Sequence, residues 1–150
     1  MNPQDIEQLV KESKIQLQGI DLIEFSFSSQ DAPSETHIFE VNVESKVNKK
    51  DLNIVIITNI KILTSDKDKC LAKVVTGCRY LVDNLKEFIE KSNDDFEMPI
   101  LLVDLLNSIS LSTTRGIMFE LFKGTFLHNY VLPIVNPKDF RVVDSTQETR

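Results

Sequence analysis

Apolar residues along this chain change their spacing twice. From Pro3 to Ser13, Ile6, Leu9 and Val10 recur every three or four residues, which predicts a short amphipathic helix over 3–13. From residue 15 the period falls to two. The block 15–28 ends with Phe25 and Phe27 alternating against Glu24 and Ser26. In 36–47, Phe39, Val41 and Val43 point one way and Glu40, Asn42 and Glu44 the other. The block 53–63 is β-branched and apolar on both faces near its start, and 71–82 completes the set. The breaks SSQDAPSET, NKKD and SDKDK are polar and turn-rich. Breaks this short join antiparallel neighbours, so the strands of 15–82 are expected to form a four-stranded meander.

The helical period then returns. NLKEFIEK, 84–91, reads as a short helix, and SNDDFEMP as a break. A long helix is expected over 99–123, with Pro99 at its start, where proline is tolerated. Its first turns, ILLVDLL, are apolar nearly all round and so call for cover on several sides. Ile109, Thr113 and Gly116 form a small-residue stripe at i, i+4, i+7, an expected subunit interface. Gly116 costs about 1 kcal/mol against alanine inside a helix, so close approach of another backbone is its expected cause. Strands followed by helices give an α+β fold: a four-stranded antiparallel meander sheet with the long helix packed on one face, in a single domain spanning 1–150. A helix of about 24 residues is roughly 36 Å long, whereas four strands make a sheet only about 15 Å wide. The helix therefore overhangs unless it runs along the strands, and self-association is the expected cover.

After the long helix comes LFKGTFLHNYVLPIVNP, where Pro133 and Pro137 forbid a regular helix. It reads as a loop over 124–137 followed by a short C-terminal tail, yet it carries Phe126, Leu127, Tyr130, Val131, Leu132, Ile134 and Val135. Loops are normally polar because they run over the surface. So much apolar surface needs a reason.

Charge and chemistry narrow the options. A net charge of −6 and a pI near 4.9 argue against nucleic acid and anionic membranes as partners. MNPQDIEQLVKES lacks the apolar core of a secretory signal, and no stretch approaches the ~20 apolar residues of a membrane span. The expectation is a cytoplasmic protein, not inserted in membranes, with Cys70 and Cys78 as packed, reduced thiols. His37 and His128 read as solvent-facing polar residues, and Glu40, Glu44, Asp94 and Asp95 as strand-face or turn charges. No nucleophile–base pair stands at motif spacing, no zinc spacing occurs, and four glycines form no phosphate loop. The sequence thus predicts no catalytic residues, no metal, no cofactor and no enzyme activity.

Two stretches carry a resemblance. FKGTFLHNYVLPIVNPKDF is similar to the C-terminal signature of the SecB family of export chaperones, in which a long helix ends in a basic residue and Gly-Thr-Phe, followed by Leu-x-Pro-x-Asn. Lys123, Gly124, Thr125, Phe126, Leu132, Pro133, Val135 and Asn136 match or nearly match that pattern. CLAKVVTGCRYLV resembles the family's last strand at Leu71, Val74, Gly77 and Tyr80. The resemblance implies an ATP-independent holdase that keeps unfolded precursor proteins competent for translocation. It implies assembly as a dimer of dimers and client grooves floored by the sheet and walled by the helix and loop, which would account for the apolar loop.

The expected client-binding residues are Phe25, Phe27, Phe39, Leu71, Tyr80, Phe96, Phe119, Phe122, Phe126 and Tyr130. Two departures bear on delivery to the export ATPase. Lys73 stands where SecB-like proteins often carry an acid, and KDFRVVDSTQETR is too short for the family's usual closing helix. SecB-like chains also serve as dedicated chaperones for antitoxins of toxin–antitoxin modules, the alternative reading. A third is a hot-dog thioesterase acting on acyl-CoA, with Asp104 as its sole candidate acid.

Overall fold

The computed structural model describes residues 2–28, 36–91 and 98–136. The element order is α1 (Pro3–Glu12), β1 (Ile15–Phe27), β2 (His37–Asn48), β3 (Asn53–Thr64), β4 (Cys70–Val82), α2 (Leu85–Lys91) and α3 (Ile100–Leu121). Asn2 caps α1 by accepting from the Gln4 N–H, with Pro3 at the first helical position. Strands then helices, a four-stranded antiparallel sheet and a long helix laid on it make the α+β architecture that the period changes predict.

The strand order differs from a meander. It is β1-β4-β3-β2, so β2, β3 and β4 are successive neighbours but β1 lies beyond β4, at the opposite edge from β2. The break 28–36 was expected to be a hairpin connection. Its nine residues can span about 30 Å when extended, ample to cross the roughly 14 Å from one sheet edge to the other. The shorter NKKD and SDKDK segments join true neighbours.

β1 keeps its apolar side chains on one face by breaking register twice. Against β4, Gln18 is an extra residue between Leu17 and Gly19, and Ile23 another between Leu22 and Glu24. Each bulge shifts the alternation by one. Ile15, Leu17, Ile20, Leu22, Phe25 and Phe27 therefore pair with Val82, Tyr80, Cys78, Thr76, Val74 and Ala72, all on the face toward α3. Ile23 lies on the other face, over Gly77, where a Cβ would come within 3.2 Å of it.

The long helix runs along the strands and antiparallel to β4, which removes the overhang. Ser110 meets Tyr80, Thr114 meets Thr76, and Met118 and Phe122 join Val74 and Ala72 in one buried cluster. A second cluster at the other end joins Leu102 and Leu106 to Ile54, Ile56, Cys78, Tyr80, Val82 and Leu85. Between the two lies a hydroxyl seam. Tyr80 and Ser110 oxygens are 2.7 Å apart, Thr76 and Thr114 oxygens 2.7 Å, and Thr114 donates to the Ser110 carbonyl at 2.7 Å.

Beyond α3 the chain turns sharply. Gly124 adopts a left-handed φ of 76°, which suits glycine, while the Thr125 hydroxyl donates to the Phe122 carbonyl at 2.7 Å and accepts from the Leu127 N–H at 3.1 Å. Lys-Gly-Thr is thus a helix stop with its own cap.

Candidate functional site

The segment 122–136 is a strap across one end of the sheet, on the side of α3. Phe126 packs on Phe27, the last residue of β1, with ring centroids 5.4 Å apart. Four residues on, Tyr130 stacks on His37, the first residue of β2, at 3.8 Å. The strap therefore spans the sheet from one edge strand to the other. Leu127 and Leu132 turn inward and are buried with Ile60, Ile62, Leu71, Ala72 and Val74. Arg115 of α3 fastens the far part, its Nε donating to the Leu132 carbonyl at 2.7 Å and its Nη2 to that of Pro133 at 3.0 Å. Leu127 and Leu132 are therefore core, while Phe126, Tyr130 and Val135 are half-buried and Val131 and Ile134 are exposed.

The expected client residues divide by burial. Tyr80 (0% exposed), Phe122 (1%) and Leu71 are interior and present no surface to a client. Composition could not reveal this, because the side of an element on which an aromatic falls depends on register. Burial pushes the Tyr80 phenol up to about 12, a hydrogen bond with Ser110 only partly offsetting it. Phe96 lies outside the described residues, as do Asp94 and Asp95. Phe25 (41%) and Phe119 (50%) are exposed, and Phe27, Phe39, Phe126 and Tyr130 are half-buried.

Five of those six accessible aromatics gather at the ends of the strap, and Phe119 lies against its middle. Phe25, 6.2 Å from Phe122, joins Phe27 and Phe126 on the β1 side. On the β2 side His37 stacks on Tyr130 and meets Phe39 edge-on at 5.1 Å. His128 lies 5.3 Å from the Phe119 ring. Both histidines pack on aromatic rings with their Nδ1 atoms buried, correcting their reading as solvent-facing. Between α3 and the strap is an apolar hollow of about 340 Å³, lined by Gly116, Met118, Phe119, His128, Tyr130 and Leu132 among others.

The remaining candidates sort as follows. Gly116 is exposed on α3, whereas Ile109 and Thr113 are half-buried, Ile109 packing against the cluster that joins Leu102 and Leu106 to the sheet. No atom comes within 4 Å of a Cβ built on Gly116, so this chain's own packing does not demand glycine there. Cys78 is buried and its thiol pushed up by burial, whereas Cys70 is exposed rather than packed. Asp104 lies half-buried near the start of α3. Among the described residues no group of three His, Cys, Asp or Glu is placed to hold a metal, and no helix is long and apolar enough to cross a membrane. Arg115, the residue that secures the strap, carries no signal in the sequence.

No family model matches the sequence, and no curated protein matches it. Among solved structures, the chain is similar to Rv1957 of Mycobacterium tuberculosis, a SecB-like chaperone in complex with a ChAD peptide from the Rv1956 HigA1 antitoxin. The TM-score is 0.59 at 13% identity, over 90% of this chain and 100% of that one. The chain has the SecB-like fold. A protein of unknown function from Streptococcus agalactiae is similar at 11% identity with a TM-score of 0.43, over 83% of this chain and 96% of that one. In the SecB-like fold of this chain, the Lys-Gly-Thr signature marks the α3 stop and Leu132 the return of the strap into the core.

Proposed function

We propose that this protein is an ATP-independent holdase chaperone that binds unfolded polypeptide on the apolar surface around the strap. The observation that carries the reading is the fold shared with a SecB-like chaperone solved with a peptide bound, together with accessible aromatics at both ends of the strap. Burying an apolar client side chain contributes roughly 1.5–3 kcal/mol, and ordering each client residue costs about 1–2 kcal/mol. Useful affinity then needs a long client touching several patches at once. Folded proteins offer no such segment, so selectivity for unfolded chains follows without a sequence code.

The reading includes self-association. α3 leaves the near face of β1 uncovered, and Leu17, Ile20, Leu22 and Phe25 stay exposed there, as do Ile100, Leu101 and Leu105 on α3. Ile109, Thr113 and Gly116 are proposed as the helix-to-helix part of that interface. Gly116→Leu should shift the mass seen by light scattering to a smaller species.

Protection of an antitoxin is favoured over delivery to the export ATPase by two observations. The similar chaperone carries an antitoxin peptide, and Lys73 holds an ion pair with Glu24 at 3.0 Å where an acid would be expected. The test of the chaperone reading is dilution of a urea-unfolded protein into buffer with and without this chain. Aggregation should fall with the chain present and be indifferent to ATP. Undiminished aggregation at a several-fold excess of chain would remove the reading.

A further inference from the structure

We infer that the hollow between α3 and the strap is a small-molecule site whose ligand is an apolar monocarboxylate, an aliphatic or aromatic acid. The inference stands apart from the chaperone reading, because its ligand is a free small molecule and not a polypeptide.

The hollow is built by side chains at helical spacing. Ser112, Arg115, Gly116 and Phe119 fall on one face of α3, and Tyr130 and Leu132 of the strap close the other side. Its volume of about 340 Å³ is at the lower end of the range for small-molecule sites, about 300–1,000 Å³. No atom comes within 4 Å of a Cβ built on Gly116, so the hollow is open at that point. Sites of this kind hold an apolar body in an apolar lining and orient it by a few placed polar groups.

The polar group that sets the ligand here is Arg115. It is half-buried, and two of its five N–H donors hold the Leu132 and Pro133 carbonyls. Three donors are left over. No Asp or Glu lines the hollow, and among the described residues none forms an ion pair with Arg115. A guanidinium that has given up part of its water without gaining an acid is suited to a carboxylate, which it binds through paired, charge-assisted bonds. Ser112, three residues earlier on the same helix face, adds a hydroxyl. One arginine in an otherwise apolar or weakly polar lining matches a single negative charge rather than a chain of phosphates. Because Arg115 grips the strap and the ligand at once, an occupied hollow ties the strap more firmly to α3.

The test uses the full chain with octanoate, 1-octanol and octylamine, matched in length and differing in charge, followed by isothermal titration calorimetry. Octanoate should bind at least about tenfold more tightly than 1-octanol, and octylamine more weakly than either. In Arg115→Met protein the affinity for octanoate should fall to within about twofold of that for 1-octanol. Amide exchange on the wild-type chain locates the site whether or not that variant keeps its strap in place. Saturating octanoate should slow exchange across 128–136 and leave 15–27 unchanged. No octanoate binding, equal binding of octanoate and 1-octanol, or protection confined to β1 would each overturn the inference. Binding of an acetylated peptide with a free C-terminal leucine, without binding of octanoate, would give the hollow to client chain ends. That result would sink the proposal and leave the chaperone reading intact. Octanoate affinity that falls as protein concentration rises would give the hollow to a second copy and equally sink it.

Discussion

The imidazole of His37 lies flat on the ring of Tyr130, with centroids 3.8 Å apart and planes 10° from parallel. This contact ties one end of the strap to the start of β2, as Phe126 on Phe27 ties the other to the end of β1. Between these ties Leu127 is fully buried. The strap is a roof over the end of the core with aromatic rings at its eaves.

Leu127 and Tyr130 should therefore respond differently to truncation. Leu127→Ala creates a cavity and should cost about 2–5 kcal/mol. Tyr130→Ser loses one stacking contact and partial burial, and should cost about 1–2 kcal/mol. Thermal melts of the two variants check this; equal losses would show that the roof has no inner and outer layer.

Arg115 should control the strap without controlling the whole fold. Arg115→Met keeps the aliphatic stem but removes both hydrogen bonds to the Leu132 and Pro133 carbonyls. Charge-assisted bonds contribute about 1.5–3 kcal/mol each at most, and their loss falls on the strap. Amide exchange should speed up across 128–136 while β3 and β4 keep their protection. Uniform acceleration through the chain would contradict this division.

Much of this layout was legible from residue spacing, and the failures have physical causes. The clean alternation of Phe39, Val41 and Val43 located β2, and the apolar run after Asn53 located β3, because each strand packs without a bulge along its pairing with the other. β1 was located but misplaced. Its apolar pairs Leu17–Ile20 and Leu22–Phe25 are three apart, the mark of two bulges, and its connection to β2 is long enough to cross the sheet. At the site, the aromatic loop stood out, but inside and outside did not. Tyr80 and Phe122 face the core through strand register and helix phase, which a residue's identity does not encode.

The hydroxyl seam under α3 should be asymmetric. Thr114 donates to the Ser110 carbonyl, so Thr76 supplies the proton for the bond between the two threonines. Thr76→Val leaves the Thr114 donor satisfied. Thr114→Val strands the Thr76 hydroxyl in the interior and should cost about 1–3 kcal/mol, more than the reverse change. In the double valine variant the cost should be less than the sum of the two. Chemical denaturation of the three variants measures it, and strict additivity would count against the assigned direction.

Tyr80 should show in the alkaline limb of stability. An unfolded phenol titrates near 10, whereas burial raises that of Tyr80 to about 12. The folded state then holds a proton that the unfolded state has released. Stability is intact below about pH 10 and is lost as pH rises from there through about 12. Tyr80→Phe should flatten that limb in denaturation curves taken across the range. An unchanged slope would mean that another group carries it.

The central claim is that the accessible rings at the ends of the strap bind unfolded polypeptide. The most direct measurement is a fluorescence titration of a permanently unfolded, labelled protein with the wild-type chain and with a Phe126→Ser, Tyr130→Ser variant, each shown folded at the titration temperature by circular dichroism. The account predicts saturable binding by the wild type, unaffected by ATP, and a loss of affinity of about tenfold or more in the variant, since two apolar contacts of roughly 1.5–3 kcal/mol each are removed at most. Equal affinity of the two proteins for the unfolded chain would contradict it.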